Sequence, residues 1–338
     1  MTGPAGGLEY QLTLESINEP VPGPRWQALF RRTWAGYRAW YLSGDGSRRP
    51  DLATARQMLA RHMPELMPTY RRLVALTDGD ETAARMLTLW DSPRFSPGCS
   101  QMVLTRPTPT LCRNYDYEPA LFEGVVYSSR FTGSRVLGTG DCLWGLLDGM
   151  NDAGLVVSLA FGGRSGSGSG FGIPLVVRYL LEVYDTTAQA CAALRRLPVA
   201  MAYNLTIVDA DGTVATAFVA PDHPPDITTE PVATNHRGSV PENPEGARAL
   251  RSVVRRNALL RLAAEQPEPS ALAEAFLAEP LHNTGYSRAF GTLYTALYQP
   301  SEGCVEYRWP GRTWRRTFDD PDATTSVTLR EAERQRIR

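Results

Sequence analysis

The pattern of apolar residues in this chain changes at residues 91–98, and this change constrains the fold more than any other feature. Residues 24–90 repeat aromatic and aliphatic side chains at spacings of three and four, which predicts amphipathic helices. The linker DSPRFSPG contains two prolines and ends in glycine, as exposed turns do. From Cys99 onward, short runs of alternating or continuous apolar character predict strands. We expect the aromatic stripe of the first helix to pack against other helices rather than to bind a cofactor.

Groups of strands and groups of helices then follow one another. The predicted helices after Cys99 span residues 174–197, 247–265 and 270–280. The predicted strands include a hairpin over residues 203–220, which turns at Asp211-Gly212, and closing strands over residues 290–300 and 303–311. Because grouped elements favour antiparallel sheet with helices outside it, the sequence predicts a layered α+β fold.

The charged residues exclude several classes of function. The chain has 35 basic and 36 acidic side chains, for a net charge of -1, so no overall field attracts nucleic acid or an anionic membrane. All of the basic residues are arginine. Without lysine there can be no Schiff base to pyridoxal phosphate, no phosphate loop of the G-x-x-x-x-G-K type and no kinase lysine.

The five cysteines predict neither a zinc site nor a disulfide framework, because their number is odd and no C-x-x-C pair occurs. The first residues lack the basic and apolar regions of a secretory signal, and no apolar run is long enough to span a membrane. We therefore expect a cytoplasmic protein that needs no metal or cofactor and binds neither nucleic acid nor membrane.

The strongest chemical signal is Cys99, which follows Gly98 at the start of the first predicted strand. Arg113 and Asp116 lie at the end of the next strand. If the two strands pair as a hairpin, both charged side chains flank the thiol. A neighbouring guanidinium favours the thiolate and lowers the pKa of a cysteine.

Histidine, the commonest general base, is scarce, with only four residues in the chain. An α-amine can replace it, because its reference pKa of about 7.7–8.0 lies just below the value of about 8.5 for cysteine. Cleavage between Gly98 and Cys99 would place nucleophile and base on one residue. Glycine suits that position, since it accepts backbone geometries that an acyl shift from nitrogen to sulfur requires.

Four motifs in this order resemble the N-terminal-nucleophile (Ntn) hydrolases, and more narrowly the acyl-coenzyme A:6-aminopenicillanic acid acyltransferase and choloylglycine hydrolase branch. The motifs are Gly98-Cys99-Ser100, Arg113-Asn114-Tyr115-Asp116, the segment GMNDAGL at 149–155, and Ala233-Thr234-Asn235-His236. The resemblance implies a four-layer αββα sandwich. It divides the chain into a helical pro-segment, residues 1–98, and a catalytic domain, residues 99–338.

The resemblance also implies roles for individual residues. Cys99 would cleave the chain after Gly98 and then act as nucleophile, Arg113 and Asp116 would hold it, and the Asn235 amide would stabilise the oxyanion. Three further residues would bind or position the substrate: Asn151, Asn204 and Arg288. Arg288 is a looser match, because the family commonly has Cys-Arg-His where this chain has Tyr-Ser-Arg. Structural roles stay open for Asn151, Asn204 and Asn235, as does a surface ion pair for Arg113 and Asp116.

The resulting hypothesis is a cysteine amidohydrolase or acyltransferase that is activated by autoproteolysis and acts on a linear amide or a small acyl-amino compound. Its partners would be a small-molecule amide or acyl donor, with acyl-coenzyme A as one candidate, and its own pro-segment as a subunit. Two alternatives remain: an uncleaved, non-catalytic binding or scaffold protein of the same fold, and a papain-like thiol enzyme that uses His236. The sequence GSGSG at 166–170 imitates a serine nucleophile motif, but a repeated Gly/Ser loop matches it by chance, and we expect a loop that covers substrate.

Overall fold

A computed structural model of the 338-residue chain describes residues 8–43, 49–96, 98–164, 166–288 and 290–331. The described residues form two β-sheets and nine α-helices. The helices are α1 (Pro24–Tyr41), α2 (Leu52–His62), α3 (Met67–Ala75), α4 (Glu81–Met86), α5 (Ile173–Val183), α6 (Thr187–Leu194), α7 (Pro244–Ala249), α8 (Ser252–Glu265) and α9 (Pro269–Phe276).

The first sheet has nine strands in the order β10-β9-β8-β7-β6-β5-β4-β1-β16. All neighbours are antiparallel except β1 and β4, which run parallel. Its strands are β1 (Glu9–Asn18), β4 (Val125–Ser129), β5 (Val136–Asp141), β6 (Gly145–Asn151), β7 (Val156–Phe161), β8 (Tyr203–Val208), β9 (Val214–Ala220), β10 (His223–Thr228) and β16 (Thr324–Arg330).

The second sheet has the order β11-β2-β3-β13-β14-β15, with β12 paired to β13. Its strands are β2 (Gly98–Leu104), β3 (Thr110–Tyr117), β11 (Val232–Ala233), β12 (Thr284–Gly285), β13 (Phe290–Gln299), β14 (Cys304–Trp309) and β15 (Arg312–Thr317). Every residue of β2 is buried, and so are all residues of β3 but the last. These two strands are therefore covered on both faces.

The two sheets face each other, and helices cover their outer faces. Strand β2 contacts β7 and β8 across the interior, α5 packs on β6 and β7, and α8 and α9 pack on β2 and β3. This is an αββα sandwich, which confirms the predicted fold class and its largely antiparallel sheets. The hairpin over 203–220 is also confirmed: Gly212 has a φ of +78°, a left-handed conformation that glycine adopts without strain.

The segment before Cys99 is not purely helical, which corrects the prediction. It begins with β1, whose buried Leu12 and Leu14 alternate with polar residues as strand geometry requires. Strand β1 lies inside the nine-stranded sheet, hydrogen-bonded to β4 on one side and β16 on the other. Helices α1–α4 follow. Trp26 and Phe30 of the α1 aromatic stripe are buried in the core, as predicted, whereas Trp34, Tyr37 and Trp40 are half-buried at its edge.

The single helix predicted over residues 174–197 is also wrong, because two helices occupy it. Helix α5 ends at Val183 and α6 begins at Thr187. Thr186 and Gln189 form a reciprocal capping box that satisfies the free N–H groups of the new helix. The local hydrogen bonds at Thr186 thus favour a break that the apolar periodicity does not reveal.

Candidate active site

Cys99 is the second residue of β2, and the predicted hairpin places it beside β3. In the antiparallel register Gly98 pairs with Asp116 and Cys99 with Tyr115. A Cβ on Gly98 would lie 2.2 Å from the Phe290 ring and 3.1 Å from Cβ of Asp116. No side chain fits there, so glycine at this position is a steric requirement of the packing.

Arg113 reaches the thiol directly. Its Nη2 donates to Cys99 Sγ over 3.1 Å, and its Nη1 donates to the carbonyl of Leu147 at 3.0 Å and to Asp148 Oδ2 at 2.5 Å. Arg113 and Asp148 are both fully buried. Sequence reasoning missed Asp148, although it directly precedes the GMNDAGL motif. It fixes the guanidinium against the sulfur.

Asp148 is itself held by hydroxyl donors from both sheets. Thr139 Oγ1 donates to Oδ1 at 2.8 Å, Tyr294 donates to Oδ2 at 2.5 Å, and Tyr298 donates to Oδ1. A buried carboxylate costs several kcal/mol unless it is paired and hydrogen-bonded, and here it is both. The network therefore makes the position of Arg113 rigid.

Asp116 lies at the same end of the hairpin but does not touch the sulfur. Its carboxylate accepts hydrogen bonds from Asn283 Nδ2 and Thr292 Oγ1, both at 2.7 Å. Nη1 of the fully buried Arg255 lies 3.8 Å from Asp116 Oδ2. Neither Arg113 nor Asp116 is a surface residue, so the surface ion pair that the sequence left open does not occur.

Asn235 binds the backbone of the candidate nucleophile. Its Oδ1 accepts from the Cys99 N–H at 3.1 Å, and its Nδ2 donates to the Phe161 carbonyl at 2.9 Å. The Asn235 N–H donates to Ser252 Oγ at 2.9 Å, which fixes the backbone. The amide therefore stands at the cysteine nitrogen with a defined orientation.

Arg255 of α8 is a site residue that the sequence analysis did not single out. It donates from Nη2 to Asn235 Oδ1 at 2.6 Å, from Nη1 to Ser100 Oγ at 2.8 Å, and to the carbonyl of Cys99. The apolar pattern of α8 gave no signal for it, because Ser252, Arg255, Ala258 and Leu259 are buried while Val253 and Val254 are exposed. An arginine on the inward face of a helix predicts a buried polar partner.

Burial dominates the electrostatics of the thiol. It raises the pKa of Cys99 to about 11, although Arg113 and Arg255 oppose that shift and Asp116 adds to it. Cys99 has no solvent-exposed surface. In the continuous chain the cysteine is therefore a protonated thiol at neutral pH.

The structure does not bring the other predicted positioning residues to Cys99. Asn151 donates to the carbonyls of Leu181 and Tyr184, at 3.0 and 2.7 Å, and accepts from the Leu155 N–H, so its amide holds the β6–β7 hairpin. Arg288 is exposed on the surface. Asn151 thus has the structural role that the sequence left open, and the role proposed for Arg288 stays a prediction.

Asn204 supports the site from one step away. Its Nδ2 donates to the carbonyls of Thr234 and His236, at 2.8 and 3.2 Å, on either side of Asn235. It therefore makes structural hydrogen bonds that hold the segment carrying the candidate oxyanion donor.

His236 does not pair with Cys99 among the described contacts. Its Nδ1 lies 2.5 Å from Ser252 Oγ, and burial lowers its pKa to about 4. A papain-like pair needs the imidazole within hydrogen-bond reach of the thiol. The hydrogen bonds of His236 give no support to that alternative.

The glycine loop at 162–172 lies against the linker before Cys99. Arg94 donates to Ser167 Oγ at 2.5 Å, and the Gly170 N–H donates to Asp91 at 2.8 Å. Loop and linker thus cover the same side of the molecule. Ser165 and Pro97 fall outside the described residues.

Sequence comparison with known families decides the assignment. Residues 103–314 match the family "Acyl-coenzyme A:6-aminopenicillanic acid acyl-transferase". The chain belongs to this family. Membership confirms the expected Ntn-type enzyme of amide hydrolysis or acyl transfer, which acts on small molecules. Comparison with curated proteins found no match.

Solved structures similar to this acyltransferase-family chain are distant. A mutant conjugated bile acid hydrolase from Clostridium perfringens has 12% identity and a TM-score of 0.44, covering 67% of this chain and 96% of its own. An N-acylethanolamine-hydrolyzing acid amidase ortholog from Caenorhabditis elegans has 15% identity and a TM-score of 0.45, covering 60% and 92%. Penicillin V acylase from Agrobacterium tumefaciens has 16% identity and a TM-score of 0.40, covering 62% and 82%. The family match and the observed layering carry the assignment of this chain.

Within the described ranges, no three His, Cys, Asp or Glu side chains are grouped so that they could hold a metal ion. Likewise, none of the described helices is both long and apolar enough to cross a membrane.

Proposed function

We propose that this protein is a cysteine amidohydrolase or acyltransferase that is activated by cleavage of its own Gly98–Cys99 bond. One observation carries the proposal. Cys99 donates its N–H to Asn235 while its sulfur accepts from Arg113, so both reactive atoms of one residue have dedicated partners.

Activation begins when the Cys99 sulfur attacks the Gly98 carbonyl carbon. The C–S bond forms and the C–N bond breaks, and the nitrogen of Cys99 keeps its hydrogen bond to Asn235 and takes the thiol proton. Water then hydrolyses the thioester, which leaves a Gly98 carboxylate, a free thiol and a free α-amine. The carbonyl contact from Arg255 and the rigid Phe290 ring hold this segment in place.

In the cleaved enzyme the α-amine of Cys99 accepts the thiol proton, and the thiolate attacks the carbonyl carbon of the substrate amide. The Asn235 Nδ2 gives up its hydrogen bond to the Phe161 carbonyl and donates to the oxyanion instead. One such donor lowers the activation barrier by about 2.7–4 kcal/mol. The protonated amine gives its proton to the leaving nitrogen as the thioester forms. Water or an amine acceptor then cleaves the thioester and restores the thiol.

The pro-segment, residues 1–98, would remain as a subunit of the cleaved enzyme. Strand β1 is hydrogen-bonded on both sides within the nine-stranded sheet. Its departure would break two ladders and expose a buried edge on each side. The two fragments should therefore co-elute on gel filtration under native conditions and separate only when denatured.

Intact-mass analysis of the purified protein tests the activation step. We expect two fragments that meet at Cys99, and a single uncut mass for Cys99→Ala. Cys112→Ala is the matched control, since Cys112 is a second buried thiol in the same hairpin. An uncut wild-type chain, or cleavage that persists in Cys99→Ala, would overturn the proposal.

A screen of acyl-coenzyme A, penicillins, N-acyl amino acids and small peptides then addresses the second half-reaction. A covalent acyl mass on the Cys99 fragment is the expected sign of the thioester. Activity without that adduct, and equal activity in Cys99→Ala, would contradict a cysteine nucleophile.

A further inference from the structure

A cavity of about 360 Å³ lies between α1 of the pro-segment and the catalytic domain. Aromatic rings form much of its wall: Tyr37, Trp40, Phe95, Tyr117 and Phe122. Its remaining wall includes two carboxylates, Glu123 and Asp141. Nothing in the steps proposed for Cys99 uses either acid.

The two carboxylates meet at a single phenol. The Tyr37 hydroxyl donates to Glu123 and lies 3.0 Å from Asp141 Oδ1. Backbone N–H groups complete the cluster, from Cys142 to Asp141 at 2.7 Å and from Leu143 to Glu123 Oε2 at 2.9 Å. Both residues that donate these N–H groups have left-handed backbones, with φ of +55° and +71°.

This acidic cluster lacks a cation. Among the described residues neither Glu123 nor Asp141 forms an ion pair, and Glu123 Oε1 is buried without any hydrogen-bond partner. Arg32 also lines the cavity, but its Nη2 is bonded to Glu15 at 2.9 Å and half of its side chain is exposed. Two half-buried acids that share a hydroxyl donor and form no ion pair with any described residue leave room for one positive group.

The wall selects the kind of cation. Hard metal ions take six or more oxygen ligands, whereas the faces of Tyr and Trp attract an organic ammonium group within about 6 Å of the ring. A neutral hydrocarbon would remove the two acids from water without offering them a hydrogen bond or an opposite charge, which costs free energy. The mixture of rings and unpaired carboxylates therefore matches an amine on an apolar chain.

The cavity lies one ring away from the candidate nucleophile. Tyr115 pairs with Cys99 in the hairpin, and its ring centroid lies 5.8 Å from that of Tyr117 and 6.0 Å from that of Phe122, both in tilted contacts. Tyr117 and Phe122 line the cavity. Phe95 lines the same side of the cavity, and its backbone carbonyl accepts a hydrogen bond from the Tyr203 hydroxyl at 2.8 Å.

We propose that this cavity binds the protonated amino group of the substrate, with Glu123 and Asp141 as its counter-charge and the aromatic rings as its walls. The link of this cavity to catalysis rests on the proposed function, whereas the binding of an amine in the cavity is independent of it. It gives the pro-segment a part in substrate recognition, because Tyr37 and Trp40 belong to α1.

Calorimetric titration of the uncut Cys99→Ala chain tests the cavity without any catalysis. The probes are 2-phenylethylamine, which is protonated at pH 7.5, and 2-phenylethanol, its neutral counterpart. We expect the amine to bind at least tenfold more tightly than the alcohol. Glu123→Gln and Asp141→Asn should each weaken the amine at least tenfold and leave the alcohol unchanged.

Asp319→Asn is the matched control, since its carboxylate is 86% exposed and paired with Arg135 on the surface. It should bind the amine like the parent chain. Thermal melts show whether each acid variant folds. If an acid variant does not fold, Tyr37→Phe replaces that variant in the test, because it removes the shared hydroxyl and keeps the ring. Equal binding of the two probes, no binding of the amine, or unchanged binding in the folded acid variants would overturn the proposal.

The outcomes separate the two proposals. Amine binding by the Cys99→Ala chain, together with a wild-type chain that stays uncut, would contradict the proposed function alone. Cleavage at Cys99 together with no preference for the amine would contradict the cavity alone.

Discussion

Replacing Arg255 by glutamine should slow self-cleavage by a factor of about 10 to 10². The Asn235 amide has two ends of nearly equal shape, and which end faces the Cys99 nitrogen depends on the hydrogen-bond donors around it. Two donors hold Oδ1 in place, the Cys99 N–H at 3.1 Å and the Arg255 guanidinium at 2.6 Å. A hydrogen bond to a charged group contributes about 1.5–3 kcal/mol. Its loss removes most of the preference for the productive orientation, and about 1.4 kcal/mol corresponds to a factor of ten.

The substitution also has a structural cost that must be separated from this effect. Arg255 donates to the Cys99 carbonyl and to Ser100 Oγ, so its removal leaves buried acceptors unpaired. Breaking a buried charged contact costs about 3–5 kcal/mol of folding free energy. Arg178→Gln is a matched control, because Arg178 is equally buried but bonds Glu182 and Ser129 in another part of the molecule.

Time-resolved intact mass after folding at low temperature measures cleavage directly and needs no substrate. Both variants should melt earlier than wild type, whereas only Arg255→Gln should lengthen the half-time of cleavage per folded molecule. Arg255→Lys keeps the positive charge but loses the several N–H donors of the planar guanidinium. Its half-time of cleavage should lie between those of Arg255→Gln and wild type. Equal cleavage half-times for the Arg255→Gln and Arg178→Gln proteins would refute the orienting role and leave Arg255 a merely structural residue.

Three further outcomes are expected. Gly98→Ala should fold poorly or cleave slowly, because its new methyl would lie 2.2 Å from the Phe290 ring, and intact mass together with circular dichroism would record either effect. Asp148→Asn should reduce the rate of cleavage without abolishing it, since Arg113 loses its charged partner but keeps a backbone carbonyl; cleavage at the wild-type rate would show that Asp148 has no positioning role. Burial raises the pKa of Glu123 to about 7, so the stability that its neutral form contributes is complete below the unfolded pKa and is lost as pH rises through 7. Melting temperatures of wild type should therefore fall between pH 5 and 8 more than those of Glu123→Gln, and parallel curves would contradict this.

The hairpin around Cys99 could be predicted from the sequence because its information is local. Two apolar runs separated by a short polar turn have one sensible antiparallel pairing, and that pairing brings Arg113 and Asp116 to the end where Cys99 lies. The layered α+β class followed in the same way from grouped strands and helices, whereas the four-layer αββα order was implied only by the family resemblance. The register then confirmed which residues oppose one another.

Partners that are distant in the chain were not predictable in this way. Arg255 is separated from Cys99 by 156 residues, and no periodicity indicates which buried side chain an inward-facing arginine will meet. Strand β1 pairs with β16 across more than 300 residues, and a lone alternating run does not identify its neighbours. The role of Asn151 was not predictable for a different reason. An asparagine in a hairpin motif can donate to local carbonyls as well as to a substrate, and the sequence does not distinguish the two.

The burial of Cys99 and the position of the pro-segment have a common consequence. A thiol with a pKa of about 11 and no exposed surface cannot turn over an external amide, yet it needs no access to reach the carbonyl of its own preceding residue. Cleavage in the continuous chain is therefore an acyl transfer that needs no access from solvent, because the Gly98 carbonyl is already next to the cysteine. It would create an α-amine beside the sulfur and free the end of the linker, which lies against the glycine loop. Because β1 lies inside the sheet and α1 lines the cavity, the pro-segment would stay bound after cleavage and form part of the substrate site.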